Sequence, residues 1–395
     1  MPTPKVGATQ WLEQIKDIQN HGEEQKIASH VHPYIFTVPE SLRSERQEAY
    51  VPQVASLGPY HHLKLELYEA ERYKSRLTIQ VEKRAKKGPF EVLVREIINM
   101  AEEIRNSYND PIECNNEVLG WMMARDAVFI LEFLGCYNLC QSPRYQEANP
   151  YLQCVDAVFH PERKSPLFFP FQADIFKLEN QVPLFILKKV LAWETGSEDQ
   201  AMDRLKMTIS SACKKFSPFI PVSVSVEDGQ NRTVARFKSF HFLRQITSRF
   251  IDCLSRSSKS RVKADKNLPS AAELHRRGVK FAPFTWASEI IRFDRASSTL
   301  FLPCIEMDYR TDLFLRNMVA VEAFMMWKTR VFTCYADLMD RLIDTPSDVA
   351  VLKRYGIITS DLGSDKEISN LWNGIRRSMW RSAYEPIDHT DHSTS

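Results

Sequence analysis

The sequence predicts a mainly α protein, a large helical domain with a small β element in its C-terminal half. Three observations predict it. Apolar residues recur at three- and four-residue intervals over most of the chain. Helix start and stop signals punctuate those stretches. Short extended runs gather only between residues 279 and 306. The 395 residues are 44% hydrophobic and 26% charged. That is enough apolar content for a large core and too much for a disordered chain.

The elements follow in order. Trp11, Ile15 and Ile18 share one face of a short helix that stops near Gly22. Leu67, Ala70, Tyr73, Leu77 and Val81 predict a helix from Lys64 to about Lys87, ended by Gly88-Pro89. Val94, Ile97, Ile98, Ala101 and Ile104 predict one helix from Phe90 to about Tyr108. Glu117 to Cys140 is apolar nearly all round and reads as a central helix. Ser165 to Phe171 reads as irregular, and Asp174 to Trp193 as an apolar helix. Ser217–Arg232 reads as a loop, Arg236–Leu254 as a helix and Arg256–Pro269 as a Ser/Lys-rich loop. Extended segments are expected at 279–284, 289–293 and 299–306, the last two flanking a hairpin turn at 294–298. A long helix is expected from Arg310 to about Ile343. Thr345-Pro346-Ser347-Asp348 starts another, which Gly356 closes, and Ser364-Asp365-Lys366-Glu367 is a capping box for the next. Residues 386–395 read as a disordered tail.

Composition excludes several functions. Lys plus Arg is 52 and Asp plus Glu is 50, a net charge of +2, against a general nucleic-acid binder. The N-terminus lacks the apolar run of a signal peptide, and the longest stretch free of Asp, Glu, Lys and Arg is only residues 49–63, with 27–39 next. No segment is therefore expected to cross a membrane. None of the eight cysteines forms a C-x-x-C pair, so buried reduced thiols are expected. The glycosylation sequon at Asn231 is expected to be unused. Glycine is scarce, 12 residues, and no phosphate-cradle, zincin or nucleophile-elbow motif occurs. The location expected is cytoplasmic or peripheral to the plasma membrane. The basic run Lys83–Lys87 at a helix C-terminus complements the helix dipole, with contact to an anionic membrane surface as the rival reading.

The informative chemistry lies in Leu178-Glu179-Asn180-Gln181-Val182-Pro183. Three polar residues interrupt an apolar stretch, so at least one points inward and needs fixed partners. Pro183 kinks or restarts the helix and frees a carbonyl for Asn180 or Gln181 to satisfy. A second polar cluster, Arg316 and Asn317 with Glu322, sits in the apolar run 313–324. Arg–carboxylate pairing across helices would account for it. Asp126 and Asp174 are single acids beside apolar runs, and Tyr60, His61 and His62 lie on a turn after Gly58-Pro59. The histidine pair could ligate a metal with a third ligand; the favoured reading has one ring packed against backbone and the other exposed. No metal, cofactor or catalytic residue is assigned.

These blocks together resemble the plant family called "domain of unknown function 247". The resemblance rests on Val38-Pro39-Glu40-Ser41-Leu42-Arg43, Ala49 to Val54, Leu57 to His62, Asp126 to Leu131, residues 178–183, Glu273-Leu274 with Gly278 to Phe281, Arg316-Asn317 with Glu322, and Leu342 to Thr345 with Asp348-Val349. It covers roughly residues 30–375. The domain reading is then a helical extension at 1–29, one family domain at 30–385 with lobes at 30–215 and 236–385 as an optional subdivision, and the tail. The resemblance implies no established reaction or cofactor. It implies a C-terminal membrane anchor in relatives; as this sequence stops soon after Arg376-Arg377, anchoring is not expected to carry over, the chain being either a natural soluble form or a truncated one. Here Ala55-Ser56-Leu57-Gly58 also stands where relatives tend to have Ser-Ile-Gly. Some members are linked to reproductive recognition, such as self-incompatibility or sex determination. The function expected is non-catalytic recognition or signalling through a protein partner, with loops 143–165, 216–235 and 256–270 presented to it. The alternative is a hydrolase or transferase with its site near Glu179, Asn180 and Gln181. Oligomeric state is not legible.

Overall fold

A computed structural model describes residues 33–44, 46–139, 168–219, 268–284, 291–324 and 331–383. The segments read above as the N-terminal helix, the 236–254 helix, the sequon, the tail and most of the three loops lie outside the described residues. The described chain is mainly helical, with its strands in the C-terminal half.

The N-terminal half is built on α1 (Glu40–Arg43), α2 (Glu69–Glu82), α3 (Phe90–Ile98), α4 (Ala101–Asn106) and α5 (Asn116–Leu139). Helix α2 is shorter than the 64–87 expected; it buries Ala70, Leu77 and Val81 of the predicted stripe, with Lys74 and Thr78 beside them, and leaves Tyr73 half-buried. The single helix expected over 90–108 is instead two. Met100 N–H bonds Ile97 O at 2.9 Å, a tightened last turn that ends α3 before α4 begins. The apolar spacing continues across this break, so periodicity could not reveal it. Helix α5 packs against α2 and α3 and is the central helix expected.

Helix α6 (Phe168–Ile175) forms where an irregular segment was expected. Pro170 falls in its first turn, where no backbone donor is needed. The continuous helix expected over 174–193 does not exist. Residues 176–183 are turns, and α7 (Leu184–Thr195) restarts with Pro183 as N-cap and closes on Gly196 at φ +76°. Helix α8 (Glu198–Phe216), which the reading above does not assign, is capped by Ser197 and packs on α7 and α5.

In the C-terminal half α9 (Ala271–Arg276) leads to β1 (Lys280–Phe284), β2 (Arg292–Asp294) and β3 (Thr299–Pro303). Strand β3 pairs parallel with β1 and antiparallel with β2. The expected hairpin is present, its turn held by Asp294, whose Oδ2 accepts from Ser297 Oγ at 2.6 Å. The 299–306 strand is two strands: β4 (Ile305–Met307) leaves that sheet to pair parallel with β5 (Ile358–Ser360). The long helix expected over 310–343 is α10 (Thr311–Phe324) and α11 (Val331–Leu342), packed against each other. A continuous helix would separate residues ten apart by about 15 Å. Glu322 Oε1 instead accepts from Phe332 N–H at 2.8 Å. Helix α12 (Pro346–Arg354) starts at the expected Thr345-Pro346 signal, where Thr345 and Asp348 form a capping box, and α13 (Asp365–Ala383) packs on α10, α11 and α12. Buried side chains from Tyr34 to Ile375 join in one connected core. Of the cysteines whose side chains are described, Cys304 is buried, Cys114 half-buried and Cys334 exposed, so the expectation of buried thiols holds for one of these three.

A buried polar clamp as the candidate functional site

The segment 49–62 has almost no regular structure, yet much of it is buried. Its backbone N–H and C=O groups therefore need partners from elsewhere. The candidate residues supply them. Asp174, fully buried on α6, gathers three consecutive amides: Gln53 N–H at 3.0 Å to Oδ1, then Val54 at 2.7 Å and Ala55 at 2.9 Å to Oδ2. Lys177 neutralises it at 2.8 Å and also donates to Val51 O at 2.7 Å. Asn180 accepts from Leu57 N–H at 2.6 Å and donates to Ala55 O at 2.9 Å and Asp174 O at 3.0 Å. Asp126 on α5 takes Gly58 N–H at 2.8 Å and pairs with Lys74 at 2.5 Å. Lys74 in turn donates to Ser56 O at 2.6 Å. Burial pushes the Asp126 carboxyl above its usual range, with Lys74 pulling the other way.

Gly58 is where the segment approaches most closely. Its φ is +75°, and a Cβ there would stand 2.6 Å from Gln181 O and 2.8 Å from Tyr108 Oη. Tyr108 hydroxyl donates to that same Gln181 carbonyl at 2.8 Å. Gln181 Nε2 donates to Ile175 O at 2.7 Å and Lys177 O at 2.8 Å. It thus satisfies carbonyls left open where α6 ends, the role expected once a helix stops before Pro183.

Glu179 faces the other way, toward the start of the described chain. Oε1 accepts from Val38 N–H at 2.7 Å and from Arg43, and Oε2 accepts from His61 Nε2 at 2.9 Å. His61 is 7% exposed. His62 is half-buried, its Nδ1 donating to Pro59 O at 2.6 Å. The histidine expectation is thus reversed in detail: the buried ring serves a carboxylate, and the half-buried one serves the backbone. Tyr60 donates to Ile35 O at 3.3 Å and accepts from Asp110 N–H at 3.2 Å. Among the described residues no three His, Cys, Asp or Glu side chains assemble as a metal ligand set.

Burial opposes the charge on Glu179, but His61, the Val38 amide and Arg43 outweigh it and hold its pKa below the usual glutamate value. Glu179 therefore contributes stability that is present above the unfolded pKa near 4.5 and is lost as pH falls through the lower folded value. Urea midpoints measured across that window should fall with acid in the wild type. In Glu179→Gln this part of the slope should vanish.

The second cluster divides. Asn317 joins the first, accepting from Leu178 N–H at 2.8 Å and donating to Ala49 O and Leu313 O, each at 2.8 Å. The carboxylate that pairs with Arg316 lies on its own helix. Arg316 bonds Asp312 one turn back at 2.8 Å and the hydroxyl of Tyr50, whose pKa burial pushes up to about 12. Asp312 also takes Arg46 at 2.8 Å. Glu322 turns to the start of α11, accepting from Phe332 N–H at 2.8 Å and Thr333 N–H at 2.9 Å. Asn317→Ala should cost about 2–3 kcal/mol in urea unfolding, because it strands the buried Leu178 amide and Ala49 carbonyl. Lys74, Lys177, Arg43 and Gly58 escaped the sequence reading as members of the cluster. Lys74 had one signal: a lysine inside the apolar stripe of α2.

Together these contacts define a helical scaffold whose interior polar side chains clamp an irregular backbone segment. The chain belongs to the plant family "domain of unknown function 247", described as a plant protein of unknown function, whose family model matches residues 35–390. It is 28% identical, over an alignment of 468 residues, to the putative UPF0481 protein At3g02645 of Arabidopsis thaliana, covering 97% of this chain and 85% of that one. It is also 27% identical over 374 residues to the UPF0481 protein At3g47200 of the same plant, covering 87% and 72%. No solved structure matches it. Among the described residues no helix is long and apolar enough to cross a membrane.

Proposed function

We propose that this chain is a non-catalytic recognition or signalling protein, which uses its polar interior to fix its shape and its surface to select a protein partner. One observation carries the reading. Asp126, Asp174, Glu179, Asn180, Gln181 and Asn317 are each at most 2% exposed, and each bonds its own chain. A catalytic acid, base or nucleophile has to present an atom to substrate; these side chains present theirs to backbone amides and carbonyls and, for the three acids, to Lys74, Lys177, Arg43 and His61 as well. Reproductive recognition, which the family resemblance implies, is the setting this reading favours. The test exchanges residues 143–165, 216–235 and 256–270 with those of At3g02645 and compares the proteins captured from plant tissue by both parents and the chimera. The captured set should follow the exchanged loops. Capture that follows the helical body would overturn the reading.

One feature favours an enzyme instead, a hydrolase or transferase near Glu179. His61 Nδ1 is buried without a hydrogen-bond partner, while Glu179 orients Nε2, as a carboxylate orients a general base. A screen of ester and phosphoester hydrolysis decides it. Turnover that is lost in His61→Asn while the fold persists would establish the enzyme; the recognition reading expects no such turnover.

A further inference from the structure

Single exposed apolar residues are ordinary on protein surfaces. Leu63, Leu65 and Tyr68 are 81, 85 and 67% exposed within six residues. The intervening Leu65–Leu67 is a 3-10 turn, closed by Tyr68 N–H to Leu65 O at 3.1 Å. Residues i and i+3 eclipse in such a turn, so Leu65 and Tyr68 stand on one side. Leu67 is buried and anchors the turn from beneath. The turn also follows directly on the clamped segment 49–62, so a fixed backbone holds the apolar side chains outward.

The described chain begins close by. Tyr34 and Ile35 donate to Ser107 O, and Tyr60, three residues before Leu63, donates to Ile35 O at 3.3 Å. Residues 1–32 precede this point and contain the apolar face Trp11, Ile15 and Ile18 read from the sequence. The stretch from Ile18 to Pro33 reaches up to about 50 Å when extended, more than enough to return to Leu63. A tether of this kind holds its end at roughly millimolar effective concentration. A modest apolar contact then suffices to keep it docked.

We propose that residues 8–20 of this same chain dock through Trp11, Ile15 and Ile18 onto Leu63, Leu65 and Tyr68, covering that surface in cis. The inference stands apart from the reading of function above: it concerns what occupies this surface, whichever activity the protein has. Any other protein that uses the surface must first displace the segment.

Hydrogen exchange read by mass spectrometry tests it on the full-length chain. In Trp11→Glu/Ile15→Glu the amides of 63–68 should exchange at least about tenfold faster than in the wild type. Reciprocally, Leu65→Glu/Tyr68→Glu should speed exchange across 8–20. Unchanged exchange at 53–58 in both variants reports an intact fold. Exchange at 63–68 that ignores the N-terminal substitutions overturns the proposal. Protection at 63–68 that rises with protein concentration also overturns it, by assigning the surface to a second copy.

Discussion

Asp174→Ala is expected to lower the unfolding free energy by at least about 4 kcal/mol. The substitution strips the acceptor from three consecutive buried amides, Gln53, Val54 and Ala55, and leaves Lys177, 1% exposed, without its carboxylate. Removing one member of a buried ion pair alone costs about 3–5 kcal/mol, because the other charge remains desolvated. The stranded amides add to this, less than additively, as the segment shifts toward water. Asp174→Asn should recover little. Only one of its two terminal atoms accepts, and the other, an NH2, would face either the amides or the Lys177 ammonium. Urea unfolding followed by circular dichroism gives both numbers. A loss under about 1 kcal/mol for Asp174→Ala would mean that the amides find water and the clamp is incidental.

Gly58→Ala is the second large effect. A left-handed backbone costs an L-residue roughly 1–2 kcal/mol. The added methyl also meets Gln181 O at 2.6 Å and Tyr108 Oη at 2.8 Å, a backbone atom and a buried hydroxyl that are bonded to each other. Overpacking of this kind costs about 1–3 kcal/mol more. We expect about 3–5 kcal/mol in all, with loss of the Gly58 amide bond to Asp126. Gly356→Ala is the matched control, because Gly356 has φ +71° with nothing within 4 Å of the added Cβ. It should cost only the backbone share. Equal losses at the two positions would show that the close approach at Gly58 is not tight.

Much of this fold is legible in the sequence, for identifiable reasons. The α2 stripe, the hairpin at 294–298 and the Thr345/Asp348 cap each depend on residues a few positions apart, where local chemistry decides. Helix breaks are not legible where the apolar spacing runs on. Residues 98–101 and 175–184 keep a helical rhythm while the chain turns, because turns buried in a core need apolar residues as much as helices do. The polar cluster could be picked out by composition, since Glu179, Asn180 and Gln181 stand in a greasy stretch. Its partners could not. For Glu179 and Asn180 they include backbone atoms of Val38, Ala55 and Leu57, more than a hundred positions away, and a backbone amide leaves no mark in a sequence. Glu322 shows the converse limit. Proximity in sequence placed it with Arg316 and Asn317, yet its role is set by the chain that follows at Phe332 and Thr333.

The most direct test of the clamp is amide exchange at Gln53, Val54, Ala55, Leu57 and Gly58, none of which belongs to a helix or strand. If side chains hold this backbone, these amides should exchange only as the whole fold opens, as slowly as the core of α5, and Asp174→Asn should release them selectively. Exchange in the wild type at the rate of an open loop would contradict the account.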